Sequence, residues 1–237
     1  MAYTKSMAQN KSVLLQSATR EQIQRYTEQV QRGTVTCSLA PCSRCGRASE
    51  FFTHHEKRKR NFYIVVKQMV ELVIGLLSRW KCPDCKKTAT DYPDFALPYK
   101  RYTLPTIQAF SHGYARDPSA SYRGLMDSCP LPYGTKTNSD TDREPMMEHS
   151  TIHRWISTLG GYYRLVQKAT DLMIQADPTT SLCRDLAGIK VHPGKYMSPA
   201  RKQILLTCSQ LISILPVYRS KFRVDIFPKL ATLVGYS

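Results

Sequence analysis

The sequence predicts an α+β fold, β-rich on its N-terminal side and helical beyond it. Three observations carry that expectation. Two Cys-x-x-Cys pairs, Cys42/Cys45 and Cys82/Cys85, bracket segments rich in β-branched and aromatic residues. Beyond about residue 98, apolar side chains recur three and four apart, the spacing of amphipathic helices. Hydrophobic residues make up 42% of the 237-residue chain, enough to bury a core and too many for wholesale disorder.

In chain order, residues 1–36 read as a helical arm. Ile23, Tyr26 and Val30 fall on one stripe, and Ser17 or Thr19 is a suitable N-cap. Residues 37–97 form the cysteine-rich module. Within it, residues 62–66 and 72–77 read as strands, with a helix through 65–77 left open because periodicity does not exclude it. Residues 91–102, with Pro93, Pro98 and a basic-aromatic end, read as a linker. The second domain spans residues 98–160. It holds helical segments at 104–116 and 119–128, a loop over 129–145, and a helix over 146–159 with Ser150 as N-cap and Gly160-Gly161 as its stop. The C-terminal region, residues 161–237, reads as helices over 162–176, 180–187 and 199–215, with a tail from Val217 that has no clear period.

The cysteine pairs point to a metal. A Cys-x-x-Cys turn puts two thiolates on one side of a tight loop, and two such turns complete a tetrahedron for one structural Zn²⁺. The arrangement is that of a zinc ribbon, with Cys42, Cys45, Cys82 and Cys85 as ligands and a hairpin between the pairs. Arg44, Lys81, Lys86 and Lys87 offset the thiolate charge. Cys37, His54 and His55 remain open as substitute ligands, although a free thiol and a plain surface role are the simpler readings. Cys183 and Cys208, in apolar helical contexts, are expected in the core, as is Cys129.

Charge selects the partner class. Lys and Arg number 34 against 18 acidic residues, a net charge of +16. Such a surplus suits a polyanion, with DNA or RNA ahead of an anionic membrane surface. No segment reads as membrane-spanning or as a convincing signal peptide, so a cytoplasmic location is expected. Two basic clusters could meet phosphates: Lys57, Arg58, Lys59 and Arg60, and then Tyr99, Lys100 and Arg101. The 146–159 segment offers a reader helix. Ile152, Trp155, Ile156 and Leu159 form its apolar stripe, while Thr151, His153, Arg154 and Ser157 lie opposite. Near a helix N-terminus, Ser150, Thr151, His153 and Arg154 would face base edges in a major groove, Arg pairing with guanine and Thr meeting a thymine methyl.

The order of these motifs resembles a known family. A first Cys-x-x-Cys, then Trp80-Lys-Cys-Pro-Asp-Cys, then Asp94-Phe-Ala-Leu-Pro-Tyr-Lys-Arg-Tyr, then Ser150-Thr-Ile-His-Arg-Trp, is similar to the zinc-ribbon and helix-turn-helix region of bacterial insertion-sequence transposases. It is closer to the small stand-alone transposon-associated proteins that carry that region alone. The resemblance covers residues 42–159 and implies that the four cysteines are the ligands and that Ser150 opens the recognition helix. Residues 129–148 stand where the family has a short turn.

A transposase catalytic domain needs three carboxylates gathered at strand ends to hold two metals. Past Leu159 the acidic residues are Asp171, Asp177, Asp185 and Asp225, in helical sequence. The expectation is a non-catalytic, zinc-dependent binder of double-stranded DNA, an accessory or targeting factor of a mobile element. Two readings compete: an assembly module that docks a transposase or nuclease, and an RNA-binding subunit. A nuclease built on Asp171 or Asp185 is the least favoured.

Overall fold

The computed structural model describes residues 19–66, 69–127, 148–222 and 226. Ser17, the segment 129–145 with Cys129, and the tail past residue 226 lie outside the described residues.

The fold is mixed helix and strand. Helix α1 (residues 19–32) buries Ile23 and Val30, the stripe its sequence dictates. A three-stranded antiparallel sheet follows in the order β1-β2-β3, with β1 Thr53–Val66, β2 Met69–Lys81 and β3 Thr88–Thr90. The register sets Phe62 opposite Val73 and Val65 opposite Val70, which overturns the helical alternative for 65–77. Both strands run well beyond the predicted 62–66 and 72–77. Residues 53–59 of β1 are exposed, so they lack the apolar alternation that marks a half-buried strand, and backbone pairing to β2 alone extends them.

The pleat sends alternate residues of the hairpin into two cores. Phe62, Ile64 and Leu77 join Ile23 of α1 and Phe95 and Ala96 of the segment after β3. Phe62 meets Phe95 edge-on at 5.4 Å. On the opposite face, Val65 is buried with the helices, and Tyr63 and Val70 pack against the same core. Residues 91–102 are therefore not a loose linker. Phe95, Ala96, Leu97 and Tyr102 are buried, and Tyr102 bridges in parallel to Tyr63 through Tyr63 N–H donating to Arg101 O at 2.9 Å. Apolar content outweighed the two prolines.

The helices are α2 (Leu104–Arg116), α3 (Tyr122–Asp127), α4 (His149–Gly160), α5 (Tyr163–Ala176), α6 (Leu182–Ala187) and α7 (Pro199–Phe222). Helix α3 starts later than the predicted 119 because Asp117 Oδ1 accepts from Ser119 N–H at 2.8 Å, holding a turn there. Ser121 Oγ then accepts from Gly124 N–H at 2.9 Å and starts the helix. Helix α7 runs past the predicted 215 and through Pro216, because Ile214, Leu215 and Tyr218 continue its buried stripe. Packing there outweighs the hydrogen bond that proline removes.

Trp155 sits at the centre of the helical core, 5.0 Å from Tyr102 and 6.0 Å from Phe110 by ring centroids. Gly160 was expected as a helix stop, yet it is the last residue of α4 and serves the crossing with α7. A Cβ there would lie 2.3 Å from Ile204 O, so only glycine admits this approach. Cys208 is buried as expected, but Cys183 is exposed. Leu182 and Leu186, four apart, take the buried side of α6 and turn Cys183 outward.

Candidate metal centre and basic surface

The two Cys-x-x-Cys turns have the same backbone. Cys42 N–H donates to Arg47 O at 2.8 Å and Gly46 N–H donates to Cys42 O at 2.8 Å. In the second turn, Cys82 N–H donates to Lys87 O at 2.9 Å and Lys86 N–H donates to Cys82 O at 3.2 Å. The residue after each second cysteine is left-handed, with φ 74° at Gly46 and 61° at Lys86. The first turn gives this position to the residue that holds it without strain, and the second does not.

The hairpin brings the turns face to face. All four sulfurs lie within 4.8 Å of one another, with Cys42 to Cys85 at 3.4 Å and Cys45 to Cys82 at 3.5 Å. A disulfide needs about 2.05 Å, so these are four free thiols. A tetrahedral ion with metal–sulfur bonds of about 2.3 Å separates its ligands by about 3.8 Å, which is the scale observed. The cluster could hold one metal ion, and its sulfurs suit a soft or borderline dication. Backbone N–H groups of Arg44 and Cys45 aimed at Cys42 hold its thiol down to about 6. The Arg47 amide also favours the Cys45 thiolate, but burial and the hydrogen-bonded neighbouring thiols push Cys45 up to about 12. Four adjacent thiols cannot all ionise alone, and a bound cation would supply the missing charge balance.

Contacts that sequence reasoning missed lock the turns together. Lys87 Nζ donates to Ser43 Oγ at 2.8 Å, and Arg47 pairs with Asp84 at 3.8 Å. Asp91, buried, accepts from Ser38 N–H at 2.8 Å and Ser38 Oγ–H at 2.7 Å, tying the segment leading to Cys42 to the residue just after β3. Burial raises the Asp91 carboxyl above its ordinary range. Ser38 and Asp91 are 53 residues apart, a pairing no local motif announces. Lys86 reaches only its own turn, donating to Pro83 O. His54 and His55 are exposed outside the cluster, His54 lying edge-on to Trp80 at 5.6 Å, and Cys37 is half-buried outside it.

The predicted DNA-facing residues divide into two sets. Arg58, Lys59 and Arg101 are exposed, and Tyr99 is 96% exposed. Lys57 instead donates to Gln31 O at 2.8 Å, near the end of α1, and Arg60 donates to Leu97 O at 3.0 Å and to Lys100 O. In α4, Ser150 is not the N-cap: Glu148, two residues earlier, holds the cap position with His149 the first helical residue, and Ser150 Oγ–H donates to the Glu148 carboxylate at 3.2 Å. Arg154 donates to Ser150 Oγ at 3.1 Å. Ser157 is half-buried and accepts from Arg201 Nη1 at 3.0 Å, and His153 meets Tyr122 edge-on at 5.8 Å. Burial first, then Arg201, lowers the His153 pKa, which favours the neutral ring. Arg154 and His149 are exposed, and Thr151 is half-buried. The segment that would join α3 to α4 as a helix-turn-helix lies outside the described residues.

Among the described residues, no second group of three or more His, Cys, Asp or Glu gathers at metal-binding distance. Asp177 pairs with Lys221 at 3.0 Å and Asp185 accepts from Ser181 at 2.7 Å. No helix among them is long and apolar enough to cross a membrane.

No curated protein and no solved structure matches this chain. Residues 42–126 match a family model described as a domain of unknown function, DUF6431. The match opens on the first cluster cysteine and takes in both turns, the sheet, the packed connector, α2 and nearly all of α3.

Proposed function

We propose that this chain is a non-catalytic, double-stranded DNA-binding protein stapled by one structural zinc ion. The observation that carries the reading is the position of the four-thiol cluster. It closes the base of a hairpin whose outer strand carries Arg58 and Lys59 into solvent, within a chain of net charge +16. Four thiolates fill a tetrahedral ion, leaving no position for a substrate or an activated water, so the metal's role is structural. Arg58 and Lys59 on β1 and Arg101 beside it supply phosphate contacts. In α4, Arg154, with Thr151 half-buried beside it, offers base-edge contacts. The resemblance to transposon-associated ribbon proteins favours an accessory or targeting role in a mobile element.

Two measurements test the proposal. Elemental analysis of purified protein should give one zinc per chain. Affinity for a short duplex should fall steeply and log-linearly with salt, and Arg58→Ala with Lys59→Ala should flatten that slope by about two. Absence of duplex binding at low salt would reject the reading. The competing assembly role is favoured by one observation: Leu72 and Ile74 of β2 are 49% and 62% exposed beside the basic strand. A transposase or nuclease that co-purifies with wild type and is lost on Ile74→Asp would support that reading.

A further inference from the structure

The connector between the two cores contains a turn that a simple connection does not require. Lys100 N–H donates to Leu97 O at 3.2 Å, closing a turn over Leu97, Pro98, Tyr99 and Lys100. Tyr99, at its third position, has φ 62°. Turns with that conformation at the third position ordinarily place glycine or asparagine there. The tyrosine ring has no compensating packing, since the residue is 96% exposed.

The turn is nevertheless held from inside. The Arg60 side chain donates to the carbonyls of both Leu97 and Lys100, the two ends of the turn. Its guanidinium also lies over Tyr92 at 5.1 Å and Phe62 at 5.5 Å. Arg101 O accepts from Tyr63 N–H, fixing the exit of the turn to β1. An aromatic ring in an unusual backbone conformation is thus presented to solvent on a clamped support.

The charge around it says what the ring meets. Lys100 and Arg101 follow the ring, Arg58 and Lys59 are exposed on the strand beside the connector, and residues 57–60 and 98–101 hold no acidic side chain. A planar apolar face among cations complements a nucleobase flanked by phosphates. A ring on a turn reaches a base face when that base is unpaired or its step has opened.

We infer that Tyr99 is a base-stacking side chain that takes an unpaired DNA base, with Lys100 and Arg101 on the flanking phosphates. The inference rests on the DNA-binding reading above and adds the residue and the kind of DNA. It predicts that the protein prefers a duplex carrying an unpaired base over the same duplex fully paired.

The test uses the full, zinc-loaded chain with three probes: an intact duplex, that duplex with one bulged 2-aminopurine, and the single strand. Wild type should bind the bulged duplex more tightly than the intact one and quench its fluorescence. Tyr99→Gly should weaken binding to the bulged duplex by about five- to a hundredfold, remove the quenching, and weaken intact-duplex binding by a much smaller factor, so that the preference for the bulge is lost. Because glycine suits the positive φ, its melting temperature should not fall, which separates lost stacking from lost folding. Tyr99→Trp should retain the preference. Equal wild-type affinity for bulged and intact duplex overturns the inference while leaving duplex binding in place. Unchanged quenching by Tyr99→Gly does the same. Loss of a co-purifying protein on Tyr99→Gly, with all DNA binding unaltered, overturns it in favour of a protein contact. Failure of wild type to bind any of the three probes removes the DNA reading and this inference together.

Discussion

The hairpin is held differently at its two ends. At the turn end, Tyr63, Val65 and Val70 sink into a core built from the helices, with Trp155 at its centre. At the cysteine end, the chain is joined by four sulfurs and a few polar contacts, Lys87 to Ser43 and Arg47 to Asp84 among them. The first kind of hold is spread over many side chains, each of modest effect. The second, with an ion in the cluster, would concentrate on one centre and be all or nothing. On the proposed metal reading, one protein contains a region whose order depends on metal and a region whose order depends on packing.

The largest expected effect is metal removal, because structural zinc sites contribute about 10–16 kcal/mol of apparent binding free energy to folding. Chelation, or Cys82→Ser, should expose the amides of residues 42–56 and 78–90 to hydrogen exchange while those of 152–173 stay protected. Uniform loss of protection along the chain would erase the distinction between the two regions. Trp155→Ala attacks the other region and should cost about 3–5 kcal/mol in urea denaturation, with zinc stoichiometry unchanged. Gly160→Ala should cost about 1–3 kcal/mol through the α4–α7 crossing, because its Cβ meets backbone as well as a movable side chain.

The smallest effect sharpens the comparison inside the cysteine end itself. Gly46 and Lys86 hold the same left-handed position in matching turns. Gly46→Ala should lower stability by about 1–2 kcal/mol, whereas Lys86→Gly should leave it unchanged or raise it by less than about 1 kcal/mol. Thermal melts of the two zinc-loaded variants check the opposite signs. A loss in both would mean that the Lys86 contact to Pro83 O outweighs its backbone strain.

The parts of this fold that were legible in the sequence are those set by local pattern. Helix α2 starts and stops where its apolar stripe does, at Leu104 and Arg116. The four cysteines announce themselves by spacing, and the structure brings those four together without His54, His55 or Cys37. What was not legible depends on residues far apart in the chain. A run of Lys and Arg reads as free charge, yet Lys57 and Arg60 are taken up by carbonyls of α1 and the connector. Ser157 reads as an open polar position, but Arg201 reaches it from α7, 44 residues later. The exposed half of β1 gives no periodic signal because neither face is buried, so only pairing to β2 defines it. Prolines 93 and 98 suggested a linker, and the buried Phe95, Ala96 and Leu97 between them made it part of the interior.

The α4–α7 crossing also sets a timetable. Gly160 fits against Ile204, and the interior around Trp155 is completed by Leu205, Cys208 and Leu211 of the same late helix. The last cluster cysteine, Cys85, leaves the ribosome long before any of those residues. As the chain is synthesised, all four cluster cysteines are available to an ion while the helical half still lacks its final wall. Tyr63, Val65 and Val70 must wait uncovered through that interval. An ion bound at that stage would order the cysteine-bearing half of the nascent chain first.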